Sequence, residues 1–196
     1  MRACAGPDAC PIPWPESFVR DVYATVDAAA GRELARLAAE EGLVPSCRRG
    51  CSYCCTQHVV VSIAEAQALA AFIRREFSAE RLLALRERTA RWQAWDNARL
   101  GAGIPSPDCP LLVEGACSVY PLRPLVCRTH FVSSAPPLCG LQPPPGAPRR
   151  PPSALASVVQ ASGPSARRLQ TRIEACGLDF QRTRMLLPHW LAEEMG

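Results

Sequence analysis

The chain has 196 residues, of which 48% are hydrophobic and 20% charged, a usage typical of a folded domain with a substantial core. No run approaches the roughly 18 apolar residues of a membrane span, so no membrane association is expected. The net charge is +4, and every basic residue is an arginine. These arginines stand beside glutamates in segments with helical spacing, which indicates solvated helix faces, and no nucleic-acid partner is expected.

Eleven cysteines are far more than a domain of this size needs for packing. The N-terminus lacks the apolar core of a secretory signal, which predicts a cytoplasmic protein whose thiols stay reduced. Clustered and reduced thiols favour metal binding over disulfides. The odd number also leaves at least one thiol without a disulfide partner within the chain.

The first part of the chain predicts a tail and then a helix. Residues 1–14 hold Cys4 and Cys10 among prolines without periodicity, which is typical of a flexible tail, although the two thiols are also candidates for extra ligands. Apolar residues then recur at helical spacing from residue 15 to about Glu41. Gly42 ends this helix, and a cysteine-rich loop follows at once.

Two more helices are predicted after this loop. His58–Val61 is short, β-branched and bounded, which indicates a brief extended segment. Ser62 and Glu65 form a capping box that begins a second helix, reaching about residue 77. A third helix is predicted over 78–100.

The second cysteine-rich stretch, residues 109–131, predicts irregular structure. Residues 113–117 indicate a tight turn or a small hairpin, and Pro121 and Pro124 force an irregular path before Cys127. Residues 135–152 are rich in proline and predict a linker or an extended surface segment.

The C-terminal part predicts short helices over 153–161, over 165–176, and from 179 onward with Pro188 interrupting. The predicted fold class is mainly α: a small helical domain with long, irregular, cysteine-rich metal-binding loops. The predicted organisation is a flexible tail (1–14), a cysteine-cluster domain (15–134), a Pro-rich linker (135–152) and C-terminal helices (153–196) that pack on the same domain.

The spacing of the first cysteines indicates a metal site. Thiolate is a soft ligand that suits zinc and iron–sulfur clusters. Cys47, Cys51 and Cys54 are separated by three and two residues, so a turn can direct their sulfurs toward one centre. Cys55 differs, because adjacent side chains in extended backbone point in opposite directions. Either Cys55 faces a second metal, or the backbone kinks there.

The second stretch supplies thiols too widely spaced for one local knuckle, so tertiary folding must bring them in. Seven candidate metal and cofactor ligands result: Cys47, Cys51, Cys54, Cys55, Cys109, Cys117 and Cys127. Cys139 is a candidate eighth. Eight thiols would satisfy two four-coordinate sites, whereas seven suit one full site and one open or mixed site.

Other residues near the cysteines have two interpretations each. His58 and His130 lie three residues from Cys55 and Cys127, near enough for mixed ligation, although an ordinary packing role is the commoner one. Cys176 is isolated near a helix end, which is typical of a buried, unliganded thiol.

The two stretches together resemble the bacterial cysteine-cluster family called YkgJ, a zinc- or iron-chelating domain, over about residues 45–131. The matching residues are Cys47, Cys51, Cys54, Cys55, Cys109, Pro110, Cys117, Tyr120, Arg123, Pro124, Cys127 and Arg128. Members of this family are often labelled iron–sulfur oxidoreductases, and a flagellin lysine methylase is similar in its cysteine motif.

Tyr120, Arg123 and Arg128 have a structural and a chemical interpretation. In the first, the guanidinium groups hydrogen-bond loop carbonyls and Tyr120 packs over the site. In the second, they offset thiolate charge around the metal. We expect a mixture in which the structural part dominates.

The leading functional hypothesis is a cytoplasmic protein that holds an iron–sulfur cluster, with [4Fe–4S] preferred, or a zinc or iron ion. One alternative is an iron–sulfur enzyme acting in redox transfer or in S-adenosylmethionine-dependent protein methyl transfer. Another is a zinc-stabilised interaction module. No substrate, protein partner or redox partner can be named. The spacing of the first three cysteines also matches radical-SAM enzymes, but the required βα units do not follow.

Overall fold

A computed structural model describes residues 14–48, 50–98, 106–140 and 151–195. Six α-helices occur in this described part: α1 (Glu16–Glu41), α2 (Ile63–Glu76), α3 (Ala79–Ala98), α4 (Leu125–Thr129), α5 (Ala156–Ala175) and α6 (Leu187–Met195). The short strands are β1 (Val60–Ser62), β2 (Leu112–Val113), β3 (Ala116–Cys117) and β4 (Arg184–Leu186). The predicted mainly α fold is confirmed. The N-terminal tail with Cys4 and Cys10 lies outside the described residues.

The helices form a layered arrangement around one main core. α1 packs against α5 on one side and α2 on the other, while α6 packs against both α2 and α3. The buried positions of α1 are Val19, Val22, Tyr23, Val26, Ala29, Ala30 and Leu37. None of the described helices is both long enough and apolar enough to cross a membrane.

The ends of the first two helices follow their sequence signals. α1 ends where Gly42 adopts a left-handed φ of 64° and donates its backbone N–H to the Leu37 carbonyl, a conformation that glycine adopts at little cost. The capping box of α2 is present, with the Ser62 and Glu65 side chains each accepting from the other residue's backbone N–H. Both predictions are confirmed.

β1 pairs with β4 in an antiparallel arrangement, and Val60 lies opposite Leu186. The sequence predicted an extended segment near β1 but not β4. A three-residue strand carries little periodicity of its own, so its partner across the molecule decides its conformation.

Two predictions about proline were wrong. Pro164 lies inside α5, which runs unbroken through the predicted gap between two helices. The missing N–H weakens one turn, but the buried face with Val158, Leu169 and Ile173 packs against α1 and keeps the helix intact. Pro188 is the second residue of α6, where the backbone N–H has no intrahelical partner, so it begins the helix instead of interrupting it.

The segment predicted as a Pro-rich linker begins with a 3-10 turn, Pro136–Cys139, and residues 141–150 lie outside the described part. The chain before and after this segment is paired, since the Ser133 N–H donates to the Ser153 carbonyl at 3.0 Å. The division of the chain into domains stays a prediction.

Candidate metal centre

The first cysteine stretch leaves α1 as a loop that is fastened mainly at its start. The Ser46 N–H donates to the Val132 carbonyl at 2.8 Å, and the Val132 N–H donates to Cys47 Sγ at 3.4 Å. The chain then turns at Gly50, whose φ of 86° favours glycine. No described residue between 42 and 57 is buried, so this loop depends little on the hydrophobic core.

Cys54 and Cys55 lie in a 3-10 turn, Tyr53–Thr56, and not in extended backbone. The backbone kinks here, and the two thiols interact as hydrogen-bond partners. This interaction lowers the pKa of Cys54 to about 7 and, together with burial, raises the pKa of Cys55 well above its ordinary value. The pair therefore places one readily formed thiolate beside one retained thiol.

The second cysteine stretch is joined to the first by a backbone hydrogen bond. The Cys109 N–H donates to the Cys55 carbonyl at 2.7 Å, so the chain returns to the first stretch after α2 and α3. β2 and β3 then form the predicted small hairpin, with Gly115 at a φ of 75° in the turn. Contrary to the predicted irregular path, Cys127 lies in the short helix α4. Pro124 comes just before α4, where its fixed φ is compatible with a helix start.

Backbone N–H groups point at several sulfurs of the site. The N–H of Leu111 lies within hydrogen-bonding reach of the Cys109 sulfur, and that of Val119 does the same for Cys117. Such donors stabilise the thiolate form of a cysteine and are among the features that tune thiolate-ligated metal centres.

Arg128, adjacent to Cys127, fastens the second stretch to α1. Its side chain is 4% exposed and donates to the backbone carbonyls of Arg123 and Pro121. It also pairs with the Asp27 carboxylate of α1 at 2.5 Å. The structural interpretation of Arg128 is thereby supported, because its donors satisfy the carbonyls of the turn that leads to Cys127.

Glu65 is a second fastening point that sequence reasoning recognised only as a helix cap. One carboxylate oxygen closes the capping box. The other accepts from the Tyr23 hydroxyl at 3.1 Å and from the Leu125 N–H at 2.9 Å. The buried Glu65 side chain thus links α1, α2 and α4 directly beneath Cys127.

Arg123 lies over the Tyr120 ring, with 4.2 Å between its guanidinium carbon and the ring centroid. The positive charges of Arg123 and Arg128 act on Cys117 and oppose the increase in its pKa that burial causes. Charge compensation around the thiols therefore accompanies the structural role of these arginines.

A small cavity of about 70 Å³ lies between the two stretches. Three of the predicted ligands line it, Cys51, Cys55 and Cys117, and Arg48 and Tyr120 also contribute to its wall. The volume admits several water-sized groups.

Electrostatic proximity connects the free thiols. Burial raises the pKa of Cys109 to about 12 and also raises that of Cys127. A thiolate at Cys54 raises the pKa of further thiols in both stretches, which shows that they lie within its range. They are Cys47, Cys55, Cys109, Cys117, Cys127 and Cys139.

The two candidate histidines lie in different surroundings. His58 contacts the rings of Trp92 and Trp95, with centroid distances of 5.9 and 5.5 Å, which favours a packing role. His130 has a buried Nε2 without a hydrogen-bond partner, and its backbone carbonyl lies 3.9 Å from Cys47 Sγ. Of the two, only His130 retains the position of a candidate ligand.

Cys176 is buried in the main core, as expected, but it is disulfide-bonded. The prediction of an unliganded free thiol was wrong in this respect. The other eight described cysteines are free: Cys47, Cys51, Cys54, Cys55, Cys109, Cys117, Cys127 and Cys139.

The donor set fits a thiophilic metal, although its side chains are not arranged as a finished coordination sphere. In the part of the chain that the structure describes, no group of three or more His, Cys, Asp or Glu side chains has that arrangement. The free thiols, the N–H groups directed at sulfur and the unpartnered His130 Nε2 are nevertheless what zinc or iron requires. Small shifts of side chains in the exposed loop would be needed to complete the geometry.

Comparison with protein families identifies the region that holds this site. Residues 46–142 match the family model described as "CxxCxxCC: Putative zinc- or iron-chelating domain". Through this region the chain belongs to the CxxCxxCC family. The CxxCxxCC domain includes both cysteine stretches and Cys139, and it supports metal binding. Comparisons with curated proteins and with solved structures found no match.

Several residues that build the CxxCxxCC domain escaped sequence reasoning. Tyr23 and Asp27 carry no motif and lie on a helix far from the cysteines in sequence, yet both hold the segment around Cys127. Gln57 donates to the Cys139 carbonyl at 2.7 Å. The only available signal was helical periodicity, which places Tyr23 on the buried face of α1 but names no partner.

Proposed function

We propose that this chain is a cytoplasmic metal-binding protein that holds an iron–sulfur cluster, or a zinc or iron ion. The ligands are Cys47, Cys51, Cys54, Cys55, Cys109, Cys117 and Cys127. The observation that carries the proposal is the 2.7 Å hydrogen bond from the Cys109 N–H to the Cys55 carbonyl. It joins two cysteine stretches that α2 and α3 separate in sequence.

The surroundings of the thiols support this proposal. Thiolates prefer zinc, iron and iron–sulfur clusters to hard cations. A set of several thiolates around one metal carries net negative charge, and Arg123 and Arg128 lie close enough to act on Cys117. Backbone N–H groups directed at Cys109 and Cys117 add further stabilisation.

The cytoplasmic location is proposed from the state of the thiols. Eight described cysteines are free, as in a reducing compartment. The disulfide at Cys176 is an exception to this pattern. Fractionation of cells that express the protein from its native gene tests the location, and recovery outside the cytoplasm would contradict it.

Metal analysis after purification without oxygen tests the proposal. Iron accompanied by an equal amount of acid-labile sulfide would establish a cluster. Stoichiometric zinc or iron without sulfide would establish the ion and exclude the cluster. Protein that carries no metal, and takes up none from iron with sulfide or from zinc, would overturn the proposal.

Substitutions then test the assignment of ligands. Cys47→Ser and Cys127→Ser, one from each stretch, should each reduce the metal content. Cys176→Ala serves as the control, because Cys176 is disulfide-bonded in the core and should leave the metal content unchanged. Unchanged metal in both ligand variants would contradict the assignment.

A further inference from the structure

We infer that Cys139 is a metal ligand that completes a four-thiol site with Cys47, Cys51 and Cys54. Cys55 and the three thiols of the second stretch then form an adjoining site, so that the domain holds two metals on either side of the Cys54–Cys55 peptide. This inference rests on the proposed metal-binding function and adds to it an eighth ligand and the number of sites.

The fold delivers Cys139 to the first stretch by direct contacts. Its 3-10 turn packs against the turn that holds Cys54 and Cys55, and the Cys139 side chain is 4% exposed. Gln57 connects the two turns, since its side-chain amide donates to the Cys139 carbonyl at 2.7 Å. Its backbone N–H donates to the Cys54 carbonyl at 3.0 Å. One residue thus fixes the distance between the two turns.

The chain that leads to Cys139 also holds Cys47 in place. Cys47 Sγ lies 3.4 Å from the Val132 nitrogen and 3.9 Å from the His130 carbonyl oxygen. The segment 130–132 therefore runs alongside Cys47 before the chain turns back at Cys139. Both thiols are presented by the same pair of adjacent segments.

The neighbours of each thiol divide into two groups. The thiols close enough to act on Cys139 are Cys47, Cys54 and Cys51. Those close enough to act on Cys127 are Cys109, Cys54 and Cys117. Cys54 belongs to both groups, as expected of a residue at the boundary, and Cys55 lies beside Cys109 and Cys117.

The count of ligands agrees with this division. Structural zinc sites are almost always tetrahedral with four ligands, and the seven thiols of the two sequence motifs leave one site a ligand short. Cys139 supplies the missing thiol. The rival for this place is His130, whose buried Nε2 has no hydrogen-bond partner. The two assignments differ in which substitution removes a metal.

Zinc reconstitution of the full chain without oxygen tests the inference. Wild-type protein should bind two zinc ions per chain, and Cys139→Ser should bind one, with the helical content unchanged. His130→Ala is the matched variant and should retain two. One zinc per wild-type chain, or two zinc ions in Cys139→Ser, would overturn the inference. Wild-type protein that binds no zinc and no iron would instead overturn the proposed function itself.

A measurement on the wild-type chain avoids reliance on a substitution that could affect folding. Zinc-loaded protein is treated with a thiol-alkylating reagent before and after chelation, and each cysteine is followed by mass spectrometry. Cys139 should be protected with zinc and alkylated together with Cys47 after chelation. Equal protection of Cys139 in both samples, while Cys47 becomes reactive, would show a merely buried thiol and would contradict ligation.

Discussion

The two cysteine stretches are built in opposite ways. The second stretch contains buried anchors, including Leu111, Val119, Leu122 and Arg128, whereas no described residue between 42 and 57 is buried. The second stretch is held by a hairpin, a short helix and side chains from α1 and α2. The first is held by local turns and by its pairing with segment 130–132.

This difference indicates a division of labour within the site. The second stretch is a framework whose cysteines the hydrophobic core positions before any metal binds. The first is an adaptable loop whose cysteines can adjust to the metal. Absence of a finished coordination sphere among the described side chains is consistent with a loop that completes the geometry on binding.

The largest effect is expected from removing the fastening of the second stretch. Arg128→Ala deprives the Arg123 and Pro121 carbonyls of their donor and leaves Asp27 without its partner, so unfolding free energy should fall by about 2–4 kcal/mol. Urea denaturation of the metal-free protein measures this.

Arg168→Ala is the matched control for this change. Arg168 pairs with Asp21, also on α1, at 2.6 Å, but both side chains are largely exposed. Its loss should cost less than about 1 kcal/mol. Equal effects of the two substitutions would contradict the framework role of the second stretch.

The hydroxyl of Tyr23 tests the same framework through pH. Burial and the nearby Glu65 carboxylate raise the pKa of Tyr23 well above its ordinary value of 10.0. The folded state thus retains the phenol proton more tightly than the unfolded state does. The resulting stabilisation is complete below pH 10 and is lost as pH rises toward the folded-state pKa.

Tyr23→Phe should therefore show a smaller loss of stability between pH 9 and 11 than wild type, although neutral stability falls by about 1–3 kcal/mol with the hydrogen bond to Glu65. Denaturant unfolding at a series of pH values measures both effects. Parallel pH profiles of the two proteins would show that Tyr23 makes no such contribution.

Metal removal should separate the two stretches directly. Chelation should increase amide exchange across residues 50–57 about tenfold or more, equivalent to about 1.4 kcal/mol, because local turns alone then hold the loop. The amides of Leu112, Ser118 and Arg128, which donate to carbonyls within the second stretch, should change far less. Hydrogen exchange with mass spectrometry measures both regions in one sample, and equal deprotection would contradict the comparison.

The smallest effects come from a matched pair of glycines. Gly50 and Gly115 both have positive φ, and a Cβ on either would contact nothing within 4 Å, so alanine should cost each turn about 1 kcal/mol of conformational strain. In Gly115→Ala this should lower the unfolding free energy of metal-free protein. In Gly50→Ala the flexible loop should absorb the strain until metal binds, which would weaken metal affinity about fivefold.

Denaturation and metal titration of both variants measure this contrast. If Gly50→Ala destabilised the metal-free protein as much as Gly115→Ala, the first stretch would be as rigid as the second. If neither variant changed metal affinity, the first stretch would not need its turn for binding.

Local signals in the sequence determined much of the fold. The end of α1 at Gly42, the capping box of α2 and the hairpin turn at Gly115 each depend on residues within a few positions of one another. The identity of the candidate ligands was equally local, because C-x3-C-x2-C-C and the later cysteines are readable as a pattern. Soft thiolates in such spacing indicate zinc or iron whatever surrounds them.

Tertiary structure alone decided the features that depend on distant partners. The continuity of α5 through Pro164 depends on packing against α1, and β4 exists only because β1 lies beside it. Glu65 accepts from Tyr23 and Leu125 as well as capping α2, and Gln57 connects Cys139 to the Cys54–Cys55 turn. Sequence names the donors at each position, but a contact between residues far apart in the chain depends on the fold that buries their surroundings. The sequence therefore determined which atoms bind metal, and the tertiary structure decided how they are grouped.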